Sequence, residues 1–120
     1  MLERITDLPD NVIGFRARGK LNSDDYEKVL IPAVDHVLED HDKVRLLYIL
    51  GGEFDGLTAG AVWDDTRVGF SHVTRWEKIA VVADKDWLRH SVDIFGYLIP
   101  GEVKAFTTTE EAAARAWVTT

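Results

Sequence analysis

Few side chains in this sequence stand where chemistry would need them. Ser71 adjoins His72, and His90-Ser91 is followed by Asp93, which are the residue types of a nucleophile, a base and an orienting acid. Triad partners, however, converge from separate elements, and neighbours on a helix diverge by about 100°. Gly69-Phe70-Ser71-His72-Val73 completes only the first half of a G-x-S-x-G elbow. Asp64 and Asp65 make an adjacent carboxylate pair, which on a helix reads as two exposed acids on its polar side. His72 is the titratable group to watch, near the end of the second expected helix, where a helix C-terminus stabilises an imidazolium as readily as catalysis would use it. Asp35, His36, Glu39, Asp40, His41 and Asp42 offer metal-ligand types without a buried pair at a defined spacing, so they read as a solvated face. These residues predict no catalytic constellation, no metal and no cofactor.

One phosphate-binding pattern is close enough to weigh. Gly51, Gly56 and Thr58 fill three of the four defining positions of G-x-x-x-x-G-K-[ST]. Leu57 replaces the lysine, and Glu53 and Asp55 would set carboxylates against phosphate oxygens. The stretch reads as a βα loop using glycine for its turns.

The element in front of that loop organises the chain. Val44 to Leu50, VRLLYIL, is apolar apart from Arg45, too short for an independent helix, and followed at once by Gly51-Gly52. This is the pattern of a central strand buried on both faces, and ligands of open α/β sheets sit beyond the carboxyl ends of such strands. Lys78 to Ala83 is a second such run and pairs beside it in parallel, with the crossover right-handed. Before them, Leu2 to Thr6 and Asn11 to Lys20 form a hairpin around a type I turn at Leu8-Pro9-Asp10-Asn11. Ile13, Phe15 and Ala17 share one face of its second strand, with Arg16 and Arg18 on the other, which places that strand nearer the sheet edge.

Four helices fill the intervals. The first, capped by Ser23, has Tyr26, Val29, Leu30, Ala33, Val34, Val37 and Leu38 at helical spacing, and Pro32 predicts a kink within it. The second runs from about Leu57 to about Val73, with Ala59, Val62, Trp63, Thr66, Phe70 and Val73 on its apolar side. The third, roughly Asp86 to Leu98, has Trp87, Leu88, Val92, Phe95 and Ile99 in one stripe, and Ile94, Tyr97 and Leu98 widen it until its end is apolar nearly all round. That excess suits a buried helix, a gate over an apolar cavity, a dimer surface or a patch that docks on lipid. Val103 to Thr107 is the last strand, and Thr108 with Glu111 forms the capping box of a final helix. The order is ββαβαβαβα, an α/β layered fold with a mostly parallel five-stranded sheet and an antiparallel first strand.

Composition narrows the function classes. The 120 residues suit one domain. A formal charge of −7 without a local Lys/Arg cluster disfavours nucleic acid as a partner. The absence of cysteine removes disulfides, thiolate metal sites and cysteine nucleophiles and suits a reducing cytoplasm. The opening MLERITDLPD has no apolar signal region, and no uncharged run approaches the ~20 residues of a membrane span.

The order of elements, together with KVRLLYIL, AVWDDTRVGFSHVTRWEKIAVVADKDWL and VKAFTTTEEAAARAW, resembles the SpoIIAA-like family, which is related to STAS domains and similar in fold to CRAL-TRIO lipid-binding domains. The resemblance covers nearly the whole chain and implies a binding module. STAS relatives that oppose anti-sigma factors place a phosphorylated serine at the start of the helix after the central strand. Here that region reads Asp55-Gly56-Leu57-Thr58-Ala59-Gly60, so Thr58 is the residue in a comparable place. The lipid-binding relatives imply an apolar or amphipathic ligand between sheet and helices. Position and apolar excess make Trp63, Phe70, Trp87, Phe95, Leu98 and Ile99 the candidates for its lining, in the space bordered by the second and third helices. The expectation is a non-enzymatic, cytoplasmic binding module for a small hydrophobic ligand or lipid, with the inner membrane face and a homodimer as further associations. The alternative is a STAS-type module that binds a regulatory protein through the second helix and the Gly51 to Thr58 loop.

Overall fold

The parallel pairing of Val44–Leu50 with a strand on either side sets the architecture. The computed structural model describes residues 1–71, 74–84, 86 and 100–120. Its strands are β1 (Leu2–Ile5), β2 (Val12–Ala17), β3 (Gly19–Leu21), β4 (Val44–Leu50), β5 (Phe54–Leu57), β6 (Trp76–Ala83) and β7 (Glu102–Phe106). Its α-helical segments are α1 (Ser23–Asp25), α2 (Ile31–Asp40), α3 (Ala59–Ser71) and α4 (Glu111–Thr119). The main sheet has the order β1-β2-β4-β6-β7, antiparallel between β1 and β2 and parallel elsewhere. The α/β class, the antiparallel first strand and the central place of β4 agree with the sequence pattern.

Alternation along the strands divides the core between the two faces of the sheet. Ile13, Phe15, Leu46, Tyr48 and Val81 point one way and pack under Tyr26, Leu30, Val34, Ala61 and Val68. Val12, Leu47, Ile49, Ala80 and Val82 point the other way, beneath Ala114 and Val118, with Trp117 partly buried against them. The final helix is thus the cover of one face, and the other helices cover the opposite one.

Four local features differ from the sequence pattern. The stretch Asn11 to Lys20 does not remain one strand: Gly19, at φ +65, turns the chain so that β3 leaves the main sheet and pairs in parallel with β5. What reads as a loop after Gly51 therefore contains a strand. The first helix is capped by Asn22, not Ser23, in a reciprocal box with Asp25. Next comes a π-helical turn, Tyr26–Leu30, closed by Ile31 N–H donating to the Tyr26 carbonyl. Pro32 then stands in the first turn of α2, where its missing N–H is tolerated. At the other end of the chain the capping box is Thr107 with Glu110, one residue earlier than the pattern suggests. The expected third helix, roughly Asp86 to Leu98, lies outside the described residues beyond Asp86.

Gly101 opens the approach of β7 to β6. A Cβ there would collide with the carbonyl oxygen of Trp76, a backbone atom that cannot move without disturbing β6. G101A should cost roughly 1–3 kcal/mol as an overpacking defect. The measurement is a urea titration, with a lowered midpoint and an unchanged slope expected; an unchanged midpoint would refute the close apposition.

Candidate functional site

The site begins with a polar atom in an apolar strand. Tyr48 is 6% exposed, and its hydroxyl must find a partner inside the core. It finds Tyr26, 1% exposed, whose Oη lies 2.6 Å from the Tyr48 Oη. The π-helical turn carries Tyr26, and such turns recur at functional sites because the extra residue re-aims a side chain. Either hydroxyl can donate in the Tyr26–Tyr48 bond, and the Asp65 carboxyl on α3 lies close enough to act electrostatically on both tyrosines. Desolvation raises the pKa of both tyrosines far above the usual phenol value. Burial likewise raises that of Asp65, against a smaller lowering by the Tyr26 hydrogen bond.

The position of α3 follows from its N-terminal anchorage. Thr58 N–H donates to the Leu21 carbonyl at 2.8 Å, and Thr58 Oγ1 accepts from Ala61 N–H at 3.1 Å, which makes Thr58 the side-chain cap of the helix. Gly60 lets α1 come close, since a Cβ there would run into Ser23 Oγ. So anchored, α3 turns Ala61, Asp64 and Val68 inward, at 0%, 3% and 6% exposure.

This orientation corrects the reading of α3 from its pattern. Trp63 is 68% exposed and Val62 49% exposed, and Ala59 is also exposed, so the expected apolar side faces solvent. Asp64, expected at the surface, is the buried acid. Its Oδ1 accepts from Arg67 Nη2 at 3.2 Å, while its Oδ2 is buried without a hydrogen-bond partner. Asp65 is an exposed residue, yet its carboxyl is desolvated. Both hold if water reaches the side chain from one side while protein packs on the other.

Of the expected ligand-lining residues, Trp63 is therefore on the outer side of α3. Phe70 lies within α3, and its side chain, like all of Trp87, Phe95, Leu98 and Ile99, falls outside the described residues, as do His72, His90, Ser91 and Asp93. Sequence reasoning missed the Tyr26–Tyr48–Asp65 cluster. The available signal was Tyr48 itself, the single hydroxyl within a run otherwise apolar except for Arg45.

A recess lies apart from this cluster, at the amino end of β2 and the C-terminus of α2. It is a cleft of about 500 Å³ whose polar lining includes Arg4, Asp7, Asp10, His36, Asp40 and His41. Asp7 holds a left-handed φ of 58 and pairs with Arg115 at 3.3 Å. His41 Nδ1 lies 3.2 Å from the Val37 carbonyl. Among the described residues no group of three or more His, Cys, Asp or Glu side chains could hold a metal, and no helix is long and apolar enough to cross a membrane.

An acid whose folded-state pKa is raised binds its proton more tightly folded than unfolded. Its neutralisation supports the fold fully below the unfolded carboxylate value of about 3.9, and that support is lost as pH rises through the raised folded value. D65N keeps an oxygen for Tyr26 and removes the titration. It should therefore be more stable than the parent near neutral pH, with the difference vanishing toward acid pH. Urea midpoints across that range check this, and a D65N protein less stable at neutral pH would refute the desolvation of Asp65.

Comparison with known proteins places this geometry in context. Curated proteins give no match. Among solved structures, an uncharacterized protein of the DUF3478 family with a SpoIIAA-like fold, from Shewanella loihica PV-4, is similar with a TM-score of 0.78 and 25% identity, over 98% of this chain and 92% of that one. The fold is that of regulatory and binding modules in general. The SpoIIAA-like family model matches residues 12–119, nearly the entire chain, and the chain belongs to the SpoIIAA-like family.

Proposed function

We propose that the protein is a non-catalytic binding module that docks a regulatory protein partner on the outer face of α3. The observation that carries this reading is the reversed amphipathicity of that helix. An indole 68% exposed beside a valine 49% exposed is more apolar surface than an uncovered helix face usually presents, and aromatic anchors dominate the energetics of protein interfaces. Glu53, Asp55 and Asp65 are exposed, Glu53 in an ion pair with Arg18, and the chain carries −7 overall. The partner of matching chemistry is a basic amphipathic segment, with an apolar stripe for Trp63 and cations for the acidic rim. Thr58, at the helix N-terminus, is the residue where an added phosphate would change that rim most directly.

A second reading is favoured by a different observation. The Asp65 carboxyl, exposed yet close to the Tyr26 hydroxyl, gives an amphipathic ligand a polar group to meet beside the apolar surface of Trp63 and Val62. Trp63 would then serve the approach to a membrane surface or a carrier partner, since indoles favour interfaces with one wet side.

W63D tests the first reading. An exposed position tolerates substitution within about 0.5 kcal/mol, so the thermal midpoint should move by only about 2–3 °C, while a partner captured by the parent protein from native host extract should no longer be retained. Capture undiminished by both W63D and T58E would overturn the docking face. Light scattering adds the homodimer test: a parent dimer that W63D converts to monomer would identify the partner as a second copy.

A further inference from the structure

The main sheet ends in two edge strands, β1 and β7. An edge offers a row of backbone N–H and C=O groups on which a further strand can pair, and the charges along it decide whether a second copy is repelled or accepted. When a strand pairs antiparallel with its own copy about a two-fold axis, one residue faces its counterpart, and residues equally spaced on either side face each other. In β1 the inner positions are Glu3 and Arg4, so centring on either sets a charge against itself. Centring on Leu2 or Ile5 leaves most of its 4 residues unpaired. Glu3 is also held by Arg18, and Arg4 lies over the Phe15 ring. This edge is closed to its own copy.

The charges on β7 are arranged the other way. Among the described residues its one neighbouring strand is β6. Glu102 and Lys104 are exposed, with Val103 half-buried between them. Neither has an ion-pair partner among the described residues, and Lys104 Nζ lies 5.2 Å from the Phe106 ring. Side chains two apart share a face of the strand. An axis at Val103 therefore sets each Glu102 opposite the partner's Lys104 and the two Val103 side chains against each other. An axis at Glu102 or Lys104 would oppose like charges, and one at Ala105 would set Lys104 opposite Phe106.

We propose that β7 is a self-complementary edge on which a second copy of this chain docks antiparallel about Val103, joining the two five-stranded sheets into one. A lysine alone would blunt this edge. Glu102, on the same face, turns it into a register mark that one sequence satisfies twice. The join uses no residue of α3, so it is independent of the docking face at Trp63.

The test is sedimentation velocity on the full chain over a concentration series. The parent should form a dimer. K104E and E102K each oppose like charges at two symmetry-related places, and each should weaken the dimer about tenfold, a loss of about 1.4 kcal/mol. An equimolar mixture of the two variants should recover association as a heterodimer, because every acid then faces a base. The double swap E102K/K104E should recover it in a single species, and either recovery shows that the single variants keep their fold. W63D should leave the dimer intact. A parent that stays monomeric throughout, a dimer that both single variants leave unchanged, or a mixture that associates no better than its components would overturn the inference. So would a dimer that W63D dissociates and K104E does not, which would place the second copy on α3.

Discussion

A hydroxyl in the middle of an apolar strand constrains most of what covers it. Leaving the Tyr48 oxygen unpaired in the core would cost about 1–3 kcal/mol, a large share of the margin by which a domain of this size is stable. Tyr26 meets it at 2.6 Å, but a phenol that accepts one hydrogen bond still has its own proton to place. The Asp65 carboxyl on α3 lies near enough to act on both hydroxyls, so the helix covering the pair brings an acid toward it. Adjacent helical positions are about 100° apart, and turning Ala61 and Val68 into the core carries Trp63 to the opposite side. The exposed indole and the buried Asp64 follow from that one rotation of α3.

The two faces of the sheet are held by different physics. On the α4 side, Arg45 pairs with Glu77 and donates to the Val118 carbonyl at 3.0 Å, and Lys78 reaches the Trp117 carbonyl at 3.1 Å. Cations thus satisfy the last carbonyls of α4, where the helix dipole favours them. Arg16 holds Glu111 at the first turn from a distance of 2.6 Å. Pinned at both ends over Ala114 and Val118, α4 is a fixed cover. Arg75 treats the end of α2 similarly, donating to the carbonyls of Leu38, His41 and Asp42. The described part of α3 has its firm backbone anchorage at Thr58 and packs on the sheet through Ala61 and Val68.

Much of the sheet was legible because parallel strands buried on both faces admit few sequences. VRLLYIL and KIAVVA can hardly be anything else, and Arg45 is tolerated because it sits at the entry of β4, within reach of Glu77 and the end of α4. The small β3–β5 sheet was not legible: strands of 3 and 4 residues, broken by Gly19 and Gly56 at positive φ, carry no period. The face of α3 was misread for a different reason. Ala59, Val62, Trp63 and Thr66 do form an apolar stripe, and periodicity reports that a stripe exists without saying what it meets. What fixes its direction is anchorage far along the chain, Thr58 N–H on the Leu21 carbonyl and Gly60 against Ser23. Such information is absent from any local window.

Stability alone would not select this arrangement. A Leu or Ala at the position of Asp64 would fill the seam without an orphan oxygen, and an apolar residue in place of Tyr48 would need neither Tyr26 nor Asp65. Replacing buried polar sets by packed apolar side chains is often neutral or stabilising. The fold keeps one departure from full satisfaction at Asp64, whose Oδ2 has no hydrogen-bond partner, and another on β6, where Trp76 Nε1 is likewise buried without one. Folds tolerate such departures where function requires them and offset their cost elsewhere, and the exposed Trp63 on the outer side of α3 is the surface that the proposed docking of a partner would cover.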